Sequence, residues 1–125
     1  MEFSRNQPIY LQIADHICEK ILLEIWKEGE RIPSVRDFAV ELEVNPNTVM
    51  RTFTLLEEKK IVLNQRGIGF FVTENGIQKA KDYMTSLFLK GDLPYLFKKM
   101  NLLKMRFSEI KTLYDRYNEE NKKRG

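Results

Sequence analysis

The sequence "NPNTVMRTFTLLEE", residues 45–58, begins with polar and rigid residues and then becomes amphipathic. Asn45 is a favourable N-cap and Pro46 suits the first helical position, so a helix is predicted to begin here. Val49 and Phe53 recur at helical spacing and predict a core-facing side. The polar first turn is therefore either a simple helix cap or a surface that contacts something outside the protein.

Two further helices are predicted upstream of this one. Isoleucines at four-residue steps form an apolar stripe over residues 8–27, and Gly29 is a plausible stop. Ser34 is a favourable N-cap for the second helix, with Asp37 at the capping-box position. The short second helix, a tight turn and the helix that follows have the pattern of a helix-turn-helix.

A β-hairpin is predicted directly after these helices. In "IVLNQRGIGFFVT", residues 61–73, two β-prone runs flank a polar loop, in which Gly67 and Gly69 can supply the positive φ that the loop needs. A hairpin in this place would be the wing of a winged helix-turn-helix.

The remaining chain is predicted to form two helices. The first covers residues 77–90 and ends near Gly91, and the second runs from Pro94 almost to the end of the chain. The second helix carries large apolar residues at alternating steps of four and three, a spacing typical of a helix that pairs with another helix. This stripe is the predicted dimerisation surface and consists of Leu96, Met100, Leu103, Phe107, Ile110, Tyr114 and Tyr117.

Together these patterns predict a mainly α fold with a small β-hairpin. We expect a winged helix-turn-helix domain over residues 1–75 and a two-helix C-terminal dimerisation tail over residues 76–125. Seven large apolar residues left in water would be a large exposed patch for a monomer, so a homodimer is expected. Part of the stripe is also expected to pack within its own chain, against the helix at 77–90.

The composition excludes several classes of protein. Of the 125 residues, 42% are hydrophobic and 31% are charged, as in a globular protein. The apolar runs are too short to cross a bilayer, and the N-terminus lacks the pattern of a secretory signal. Cys18 is the only cysteine, which fits a reducing cytoplasm. His16 is the only histidine, and neither metal-ligand spacing nor a phosphate-binding glycine loop is present, so we expect no metal, cofactor, membrane contact or enzymatic activity.

Charge is distributed unevenly along the chain. The net charge of +3 combines −2 over residues 1–73, from nine basic and eleven acidic residues, with +5 over residues 74–125. A basic surface is the usual footprint of a nucleic-acid-binding protein, so the cations of the first half would have to converge on one face. Several acidic residues fall in the predicted first helix, which can face away from DNA: Asp15, Glu19, Glu24 and Glu28.

The helix that begins at Pro46 has the side chains that major-groove recognition requires. Asn47 can pair with adenine through two hydrogen bonds, and the methyl group of Thr48 can contact that of thymine. Arg51 suits a phosphate or a guanine edge, and Met50 suits an apolar contact. The start of the second helix is placed to hold the DNA backbone. The residues of both helices predicted to bind double-stranded DNA are Ser34, Arg36, Asn45, Asn47, Thr48, Met50 and Arg51.

The order of these motifs closely resembles the N-terminal domain of GntR-family bacterial transcription regulators. The similarity covers residues 8–73 and rests on "PIYLQI", "IPSVRDFAVELEVNPNTVMRTFTLLEEKKIV" and "QRGIGFFV". The "NPNTV" form and the short tail look most like the YtrA subfamily. The resemblance implies a cytoplasmic, sequence-specific regulator, expected to be a repressor, that binds a palindromic operator as a homodimer. It implies that helix 46–59 enters the major groove and that the wing, residues 61–73, lies at the adjacent minor groove, with DNA contacts from Arg66, Gly67 and Gly69.

Several residues depart from the family pattern. Pro46, Met50 and Ile68 stand where many relatives carry a basic residue, which removes contacts to DNA. This predicts weak non-specific affinity and a shallow dependence of binding on salt. Glu43 and Lys60 stand where glycine is common, and a positive φ at either position would cost about 1 kcal/mol.

Two questions stay open at the level of sequence. The aromatic residues of the tail, with Arg106 or Arg116 as a charged anchor, could hold a small-molecule effector at the dimer junction, although an interface core is the simpler interpretation. The alternative to DNA binding is a winged-helix adaptor that binds other proteins. Converging cations on the face of Arg51 and Arg66 would favour DNA, whereas a mixed apolar patch there would favour the adaptor.

Overall fold

The computed structural model describes residues 7–124 of the chain. Its elements, in chain order, are α1 (Ile9–Leu22), α2 (Val35–Leu42), α3 (Pro46–Glu58), β1 (Val62–Gln65), β2 (Gly69–Val72), α4 (Gly76–Leu87), a π-helical segment (Phe88–Asp92), α5 (Leu93–Leu103) and α6 (Phe107–Arg124). The chain divides between Ser86 and Leu87 into two compact units, the winged-helix unit and the tail unit. The predicted mainly α fold with a small β-hairpin is confirmed. The prediction that the N-terminus lacks a secretory signal depends in part on residues 1–6, and these lie outside the described residues.

The first helix, α1, is shorter than its apolar stripe predicts. It ends at Leu22 rather than near residue 27, because Glu24 adopts a left-handed conformation with φ of 57° and the chain turns there. The turn places Trp26 edge-to-face against the Phe38 ring, with 5.8 Å between the centroids. Ile25, the last residue of the predicted stripe, is left 52% exposed.

The second and third helices begin where the sequence predicts. Ser34 and Asp37 form the capping box of α2, and Asn45 is the N-cap of α3. Glu43 ends α2 in a left-handed conformation, with φ of 54°, and leads into the tight turn before α3. Lys60 also has a positive φ, of 61°, just after α3. Both positions that were expected to favour glycine therefore carry backbone strain.

The wing is an antiparallel hairpin of β1 and β2. Val62 lies opposite Val72, and Gln65 lies opposite Gly69 at the tip. Arg31 forms a single β-bridge to Phe71, so the segment before α2 flanks β2. This bridge ties the wing to the chain that enters the helix-turn-helix.

A continuous core joins the helices and the wing. The Phe53 ring on α3 contacts Phe38 on α2 and Phe70 on β2 edge-to-face, with centroid separations of 5.7 and 4.6 Å. Ile13, Ile17 and Ile21 of α1 are fully buried against this cluster. The largest fully buried side chains are Phe38, Phe53, Ile13, Ile17, Ile21, Ile32, Leu56 and Ile61.

Helix α4 belongs to the winged-helix unit. Ala80 is fully buried in its core, and Tyr83 and Met84 pack against the same cluster. Gly76 lies so close to the wing that a Cβ on it would stand 2.7 Å from Cγ1 of Val72. The compact unit therefore extends past the predicted domain boundary at residue 75, while the functional division into DNA-binding and dimerisation domains stays a prediction.

The predicted interruption between Gly91 and Pro94 is wrong. Leu87, Asp92 and Leu93 all have right-handed helical dihedrals, and the π-helical segment joins α4 to α5 without a turn. Proline lacks an N–H, and its ring clashes with the preceding turn of an α-helix. The π-helical turn before Pro94 is wider than an α-helical turn and accommodates both the missing N–H and the ring. Proline therefore widens the helix locally here and does not break it.

The predicted continuous helix from Pro94 to near the C-terminus is also wrong. Helix α5 ends at Leu103, because Lys104 is left-handed with φ of 56° and the Met105 N–H donates to the Met100 carbonyl oxygen over 2.9 Å. Helix α6 then starts at Phe107. The apolar stripe is thereby split, with its first three residues on α5 and its last four on α6. No glycine marks this break, which is why the sequence did not reveal it.

Most of the stripe is exposed to solvent. Met100 is buried, with 8% exposure, and Ile110 is half-buried. Among the exposed members, the exposed fraction of the side chain reaches 64% at Leu103 and 69% at Phe107.

Within residues 7–124, none of the helices combines the length and apolar character needed to cross a bilayer.

Candidate nucleic-acid interface

Local hydrogen bonds fix the start of α2. The Ser34 hydroxyl oxygen accepts from the Asp37 N–H over 3.1 Å, and the Asp37 carboxylate accepts from the Ser34 N–H over 3.2 Å. These hydrogen bonds, and then the charges of Arg31 and Arg36, hold the pKa of Asp37 below its ordinary value. The Ser34 hydroxyl is held in the capping box, because it accepts from the Asp37 N–H and also forms a hydrogen bond with the Asp37 carboxylate. Arg36 is exposed beside it.

The backbone at the start of α3 is satisfied within the protein. The Asn45 side-chain oxygen accepts from the Asn47 N–H over 2.8 Å, and its backbone oxygen accepts from the N–H groups of Thr48 and Val49. Pro46 has no N–H to satisfy. Any partner at this turn must therefore be contacted by side chains. The carboxamide oxygen of Asn45 acts as the cap, and its amide hydrogens point away from that bond as donors for an outside contact.

The side chains of the same turn divide into two groups. Val49 and Phe53 are fully buried in the core. Asn47, Met50 and Arg51 are exposed, with Met50 at 46%, whereas Thr48 is half-buried. The polar turn is thus both a cap, through Asn45, and a solvent-facing surface, through the exposed residues.

Arg51 is held against an aromatic ring that the sequence analysis did not single out. Its guanidinium carbon lies 3.9 Å from the centroid of the Tyr10 ring on α1. The Thr52 hydroxyl donates to the Tyr10 carbonyl oxygen over 2.7 Å and fixes the first turn of α1 to α3. In the sequence, Tyr10 appeared only within "PIYLQI", and nothing in that motif indicated which residue it contacts.

A surface depression of about 340 Å³ lies where α1 and α3 begin. Exposed and half-buried residues of both helices form it, so the start of α1 borders the same surface as the polar turn. Its lining consists of Pro8, Ile9, Tyr10, Asn47, Thr48 and Arg51.

The wing tip presents one cation and one apolar side chain. Arg66 is exposed in the turn, and Ile68 next to it is 56% exposed. The Ile68 N–H donates to the Gln65 carbonyl oxygen over 2.9 Å, and Gly67 has a φ of +79°, which favours glycine. Gly67 therefore sets the shape of the tip, and Arg66 supplies its charge.

Arg31 is a second cation at the wing that sequence reasoning missed. A Cβ added to Gly69 would stand 2.7 Å from Nε of Arg31, so this side chain lies directly over the glycine. Arg31 is exposed, and its place depends on the β-bridge to Phe71. A single bridging residue leaves no periodic signal in the sequence, which explains why it was overlooked.

Several acidic residues of the winged-helix unit have structural roles. The Glu28 carboxylate accepts from the Ile77 N–H over 3.2 Å at the start of α4. The Glu57 carboxylate accepts from the Asn64 N–H over 3.2 Å and links α3 to β1. Together with Asp37 in the capping box, these contacts explain part of the acidic excess without placing it on the polar turn of α3.

Cys18 of α1 is buried and His16 is half-buried, and burial shifts the pKa of both side chains. Burial raises the pKa of the Cys18 thiol to about 12, so it is protonated at neutral pH. Burial, and then the charge of Lys20, lowers the pKa of His16. Among residues 7–124, no group of three or more histidine, cysteine or acidic side chains could hold a metal ion.

The fold and this surface define a class of protein. Three helices and a hairpin surround one core, the third helix exposes a polar first turn, and the hairpin carries a cation at its tip. These are the features of a winged helix-turn-helix DNA-binding protein.

Comparison with known proteins identifies the family. Residues 9–72 match the model described as bacterial regulatory proteins, gntR family. The chain is 38% identical over 114 residues to the HTH-type transcriptional regulator YhcF of Bacillus subtilis, an alignment that covers 89% of this chain and 93% of YhcF. It is 41% identical over 70 residues to the HTH-type transcriptional repressor YtrA of Bacillus subtilis, covering 56% of this chain and 54% of YtrA. A solved GntR-family transcriptional regulator from Listeria monocytogenes superimposes with a TM-score of 0.73 at 28% identity, covering 91% of this chain and 98% of that one.

The chain therefore belongs to the GntR family, and its YtrA-like character is confirmed. As a member of this family it is a DNA-binding transcription regulator and not an enzyme. The adaptor alternative is not favoured by these relationships.

Proposed function

We propose that this regulator is a cytoplasmic homodimeric repressor of a palindromic operator. Helix α3, with its predicted span of 46–59, enters the major groove, and the wing, residues 61–73, lies at the adjacent minor groove. The observation that carries this proposal is the division of α3 into two faces. Asn47, Met50 and Arg51 are exposed on one face, whereas the opposite face, which includes Val49 and Phe53, is buried in the core. A helix held in this way offers short polar side chains and one cation at its N-terminal end, as groove reading requires.

The proposed contacts fall into two groups. Asn47, Thr48, Met50 and Arg51 contact bases or adjacent phosphates in the major groove. Contacts that set position come from the remaining predicted residues, with Arg31 added from the structure. These residues are Ser34, Arg36, Asn45, Arg66, Gly67, Gly69 and Arg31.

A homodimer is proposed from the apolar surface of the tail unit. Leu103, Phe107 and Tyr117 are each more than 60% exposed, which is unusual for a monomer with so few residues. The predicted dimerisation residues are the members of the stripe on α5 and α6. A twofold dimer presents two copies of α3 and matches a palindromic site.

Repression is proposed from relatedness. YtrA, whose name describes a transcriptional repressor, is 41% identical over the matched 70 residues. A regulator that occupies an operator without further chemistry most simply blocks transcription.

The acidic balance of residues 1–73 leads us to expect weak non-specific binding of DNA and a shallow dependence of that binding on salt.

A small-molecule effector at the dimer junction is a further part of this proposal. The exposed aromatic residues of the tail unit, among them Tyr95, Phe97 and Tyr114, supply apolar surface, and Arg106 or Arg116 supplies charge. Such a ligand would act by changing the spacing of the two α3 helices. Titration that changes neither operator affinity nor tail tyrosine fluorescence would count against it.

The proposal is tested by selecting bound sequences from a random pool of DNA duplexes with the purified protein. We expect a palindromic site to emerge, Arg51→Ala to lose it, and Arg66→Ala to bind it more weakly without changing the sequence selected. Lys79→Ala is the matched control, because Lys79 is an exposed helical cation on α4 that is not among the predicted DNA contacts. A pool that stays random at low salt would overturn DNA reading and turn the search toward protein partners.

A further inference from the structure

The start of α1 contacts α3 at the one cation of that helix. Between residues 46 and 58, Arg51 is the only basic residue. Arg51 is exposed, and its guanidinium carbon lies 3.9 Å from the centroid of the Tyr10 ring. Tyr10 is half-buried, and its carbonyl oxygen is held by the Thr52 hydroxyl at 2.7 Å. The ring therefore sits on a backbone that is fixed to α3 itself.

We infer that Tyr10 is a positioning residue that orders the Arg51 guanidinium for contact with DNA. This inference rests on the proposed function, in which Arg51 contacts a guanine edge or a phosphate. It assigns the first turn of α1 to the recognition surface, together with α3 and the wing.

Stacking leaves the arginine able to bind. The five N–H donors of a guanidinium point outward in its plane, so contact with a ring on one face leaves them available to an acceptor at the edge. A long side chain that is already ordered loses less conformational freedom on binding than a free one. A ring beneath Arg51 thus lowers the entropic cost of the contact and restricts its direction.

The contact between Tyr10 and Arg51 matters more for DNA binding because the backbone at the start of α3 cannot contribute to it. The N–H groups of Asn47, Thr48 and Val49 are engaged within the protein, so the α3 terminus offers side chains only. Direction and affinity at this turn then depend strongly on the few exposed side chains. Among them, Arg51 is held against a ring of another element.

A purely structural role for Tyr10 makes a different prediction. In that case the ring would only fill the contact between α1 and α3, and its removal would weaken DNA binding whether or not Arg51 is present. If Tyr10 acts through Arg51, its removal has an effect only when Arg51 is present. A double-mutant cycle separates the two.

The experiment measures affinity for the operator selected by the wild-type protein, using the full chain at low salt, where proteins with Arg51→Ala still bind measurably although they no longer select the site. Tyr10→Leu, Arg51→Ala and the double variant are compared with wild type. We expect Tyr10→Leu to weaken binding about two- to fivefold in the wild-type background, the size of an exposed cation–π contact, and to have no further effect in the Arg51→Ala background. Base preference should relax at the half-site position that Arg51→Ala also affects. Equal effects in both backgrounds, or no effect in either, overturn the inference.

Two controls keep the result interpretable. Tyr10→Phe keeps the ring and should bind as wild type does. Ile9→Ala removes a neighbouring side chain of the same depression, and its effect should be the same in both backgrounds. If Tyr10→Leu fails to fold by circular dichroism, fluorinated phenylalanines at position 10 replace it, since they keep the shape of the ring and weaken its negative face. Affinity that falls with fluorination supports the inference, and affinity that stays constant overturns it.

The two proposals fail in different ways. If wild type selects no site, the proposed function fails and this inference fails with it. If wild type selects a site that Arg51→Ala loses, while the Tyr10 variants keep both affinity and base preference, only the inference about Tyr10 fails.

Discussion

The winged-helix unit and the tail unit use similar apolar sequence patterns with opposite results. In the first, three of the periodic isoleucines of α1, Ile13, Ile17 and Ile21, have no exposed surface. In the tail, Leu103 and Phe107 also follow helical spacing, yet they are 64% and 69% exposed. Periodicity thus reports which side of a helix is apolar, and it does not report whether the same chain covers that side.

Net charge also differs between the two regions, and residues 74–86 of the winged-helix unit leave the difference unchanged because they carry two basic and two acidic residues. Residues 1–73 carry a net −2, and three of their carboxylates, on Glu28, Asp37 and Glu57, accept backbone hydrogen bonds. Residues 74–125 carry a net +5. These acidic groups are used in structural hydrogen bonds of the first region. The net charge of that region therefore underestimates how well it can expose single cations such as Arg51.

The largest effect is expected from the core of the winged-helix unit. Phe53→Ala removes a fully buried ring that contacts Phe38 and Phe70. We expect the free energy of unfolding to fall by about 3–5 kcal/mol, since a buried phenylalanine leaves a large cavity. Urea unfolding followed by circular dichroism measures it. Thr54→Ala, an exposed change on the same helix, should have little effect, and a similar loss there would argue against this account of the core.

A substitution in the tail unit should change the association of two chains and not the stability of the core. Leu103→Glu places a charge in the proposed dimer surface, and we expect the dimer dissociation constant to rise at least about tenfold, which corresponds to roughly 1.4 kcal/mol. Sedimentation equilibrium measures this constant. Val40→Glu makes the same change at a residue of the winged-helix unit that is 73% exposed, and it should leave the dimer intact. Unchanged dimerisation in Leu103→Glu would move the interface elsewhere.

Backbone strain offers a smaller test. Glu43 has a φ of 54°, where a side chain is unfavourable, so Glu43→Gly should raise the free energy of unfolding by about 1 kcal/mol. Glu41→Gly, two residues earlier inside α2, should lower it by about 1 kcal/mol because glycine is unfavourable in a helix. Urea unfolding of the pair gives both signs. The same sign for both variants would contradict a role for φ.

The smallest effect is expected from the capping box and depends on pH. Hydrogen bonds from Ser34 lower the pKa of Asp37 from 3.8, so the folded state favours the charged carboxylate. The stabilisation is present above pH 3.8 and is lost as the pH falls through the lower, folded-state pKa. Wild type should therefore exceed Asp37→Asn in stability at neutral pH, and the difference should shrink in acid. Thermal unfolding across that range checks the trend, and a difference independent of pH would exclude the charge as its cause.

Sequence predicted best where local chemistry acts alone. The caps at Ser34 and Asn45 and the hairpin glycine at Gly67 were placed correctly, because a cap or a turn depends on a few adjacent residues. Where distant contacts decide, prediction failed. Helix α1 ends early, and the turn after it carries Trp26 against Phe38, a contact that no local pattern contains.

The tail shows the same limit in its breaks. Gly91 and Pro94 look like a stop, yet the backbone stays helical through a π-helical turn, whereas the actual break at Lys104 has neither residue. A proline excludes one hydrogen bond but leaves several helical geometries open. Which one forms depends on the whole segment.

The sequence by itself determined the family, the order of the elements and the residues that cap them, because these follow from motifs and short-range chemistry. The tertiary structure decided which side chains meet. It put Tyr10 against Arg51 and laid Arg31 over Gly69, pairs separated by about forty residues of chain. Such contacts depend on how the helices and the wing pack around Phe53. Packing of this kind leaves no periodic trace in the sequence.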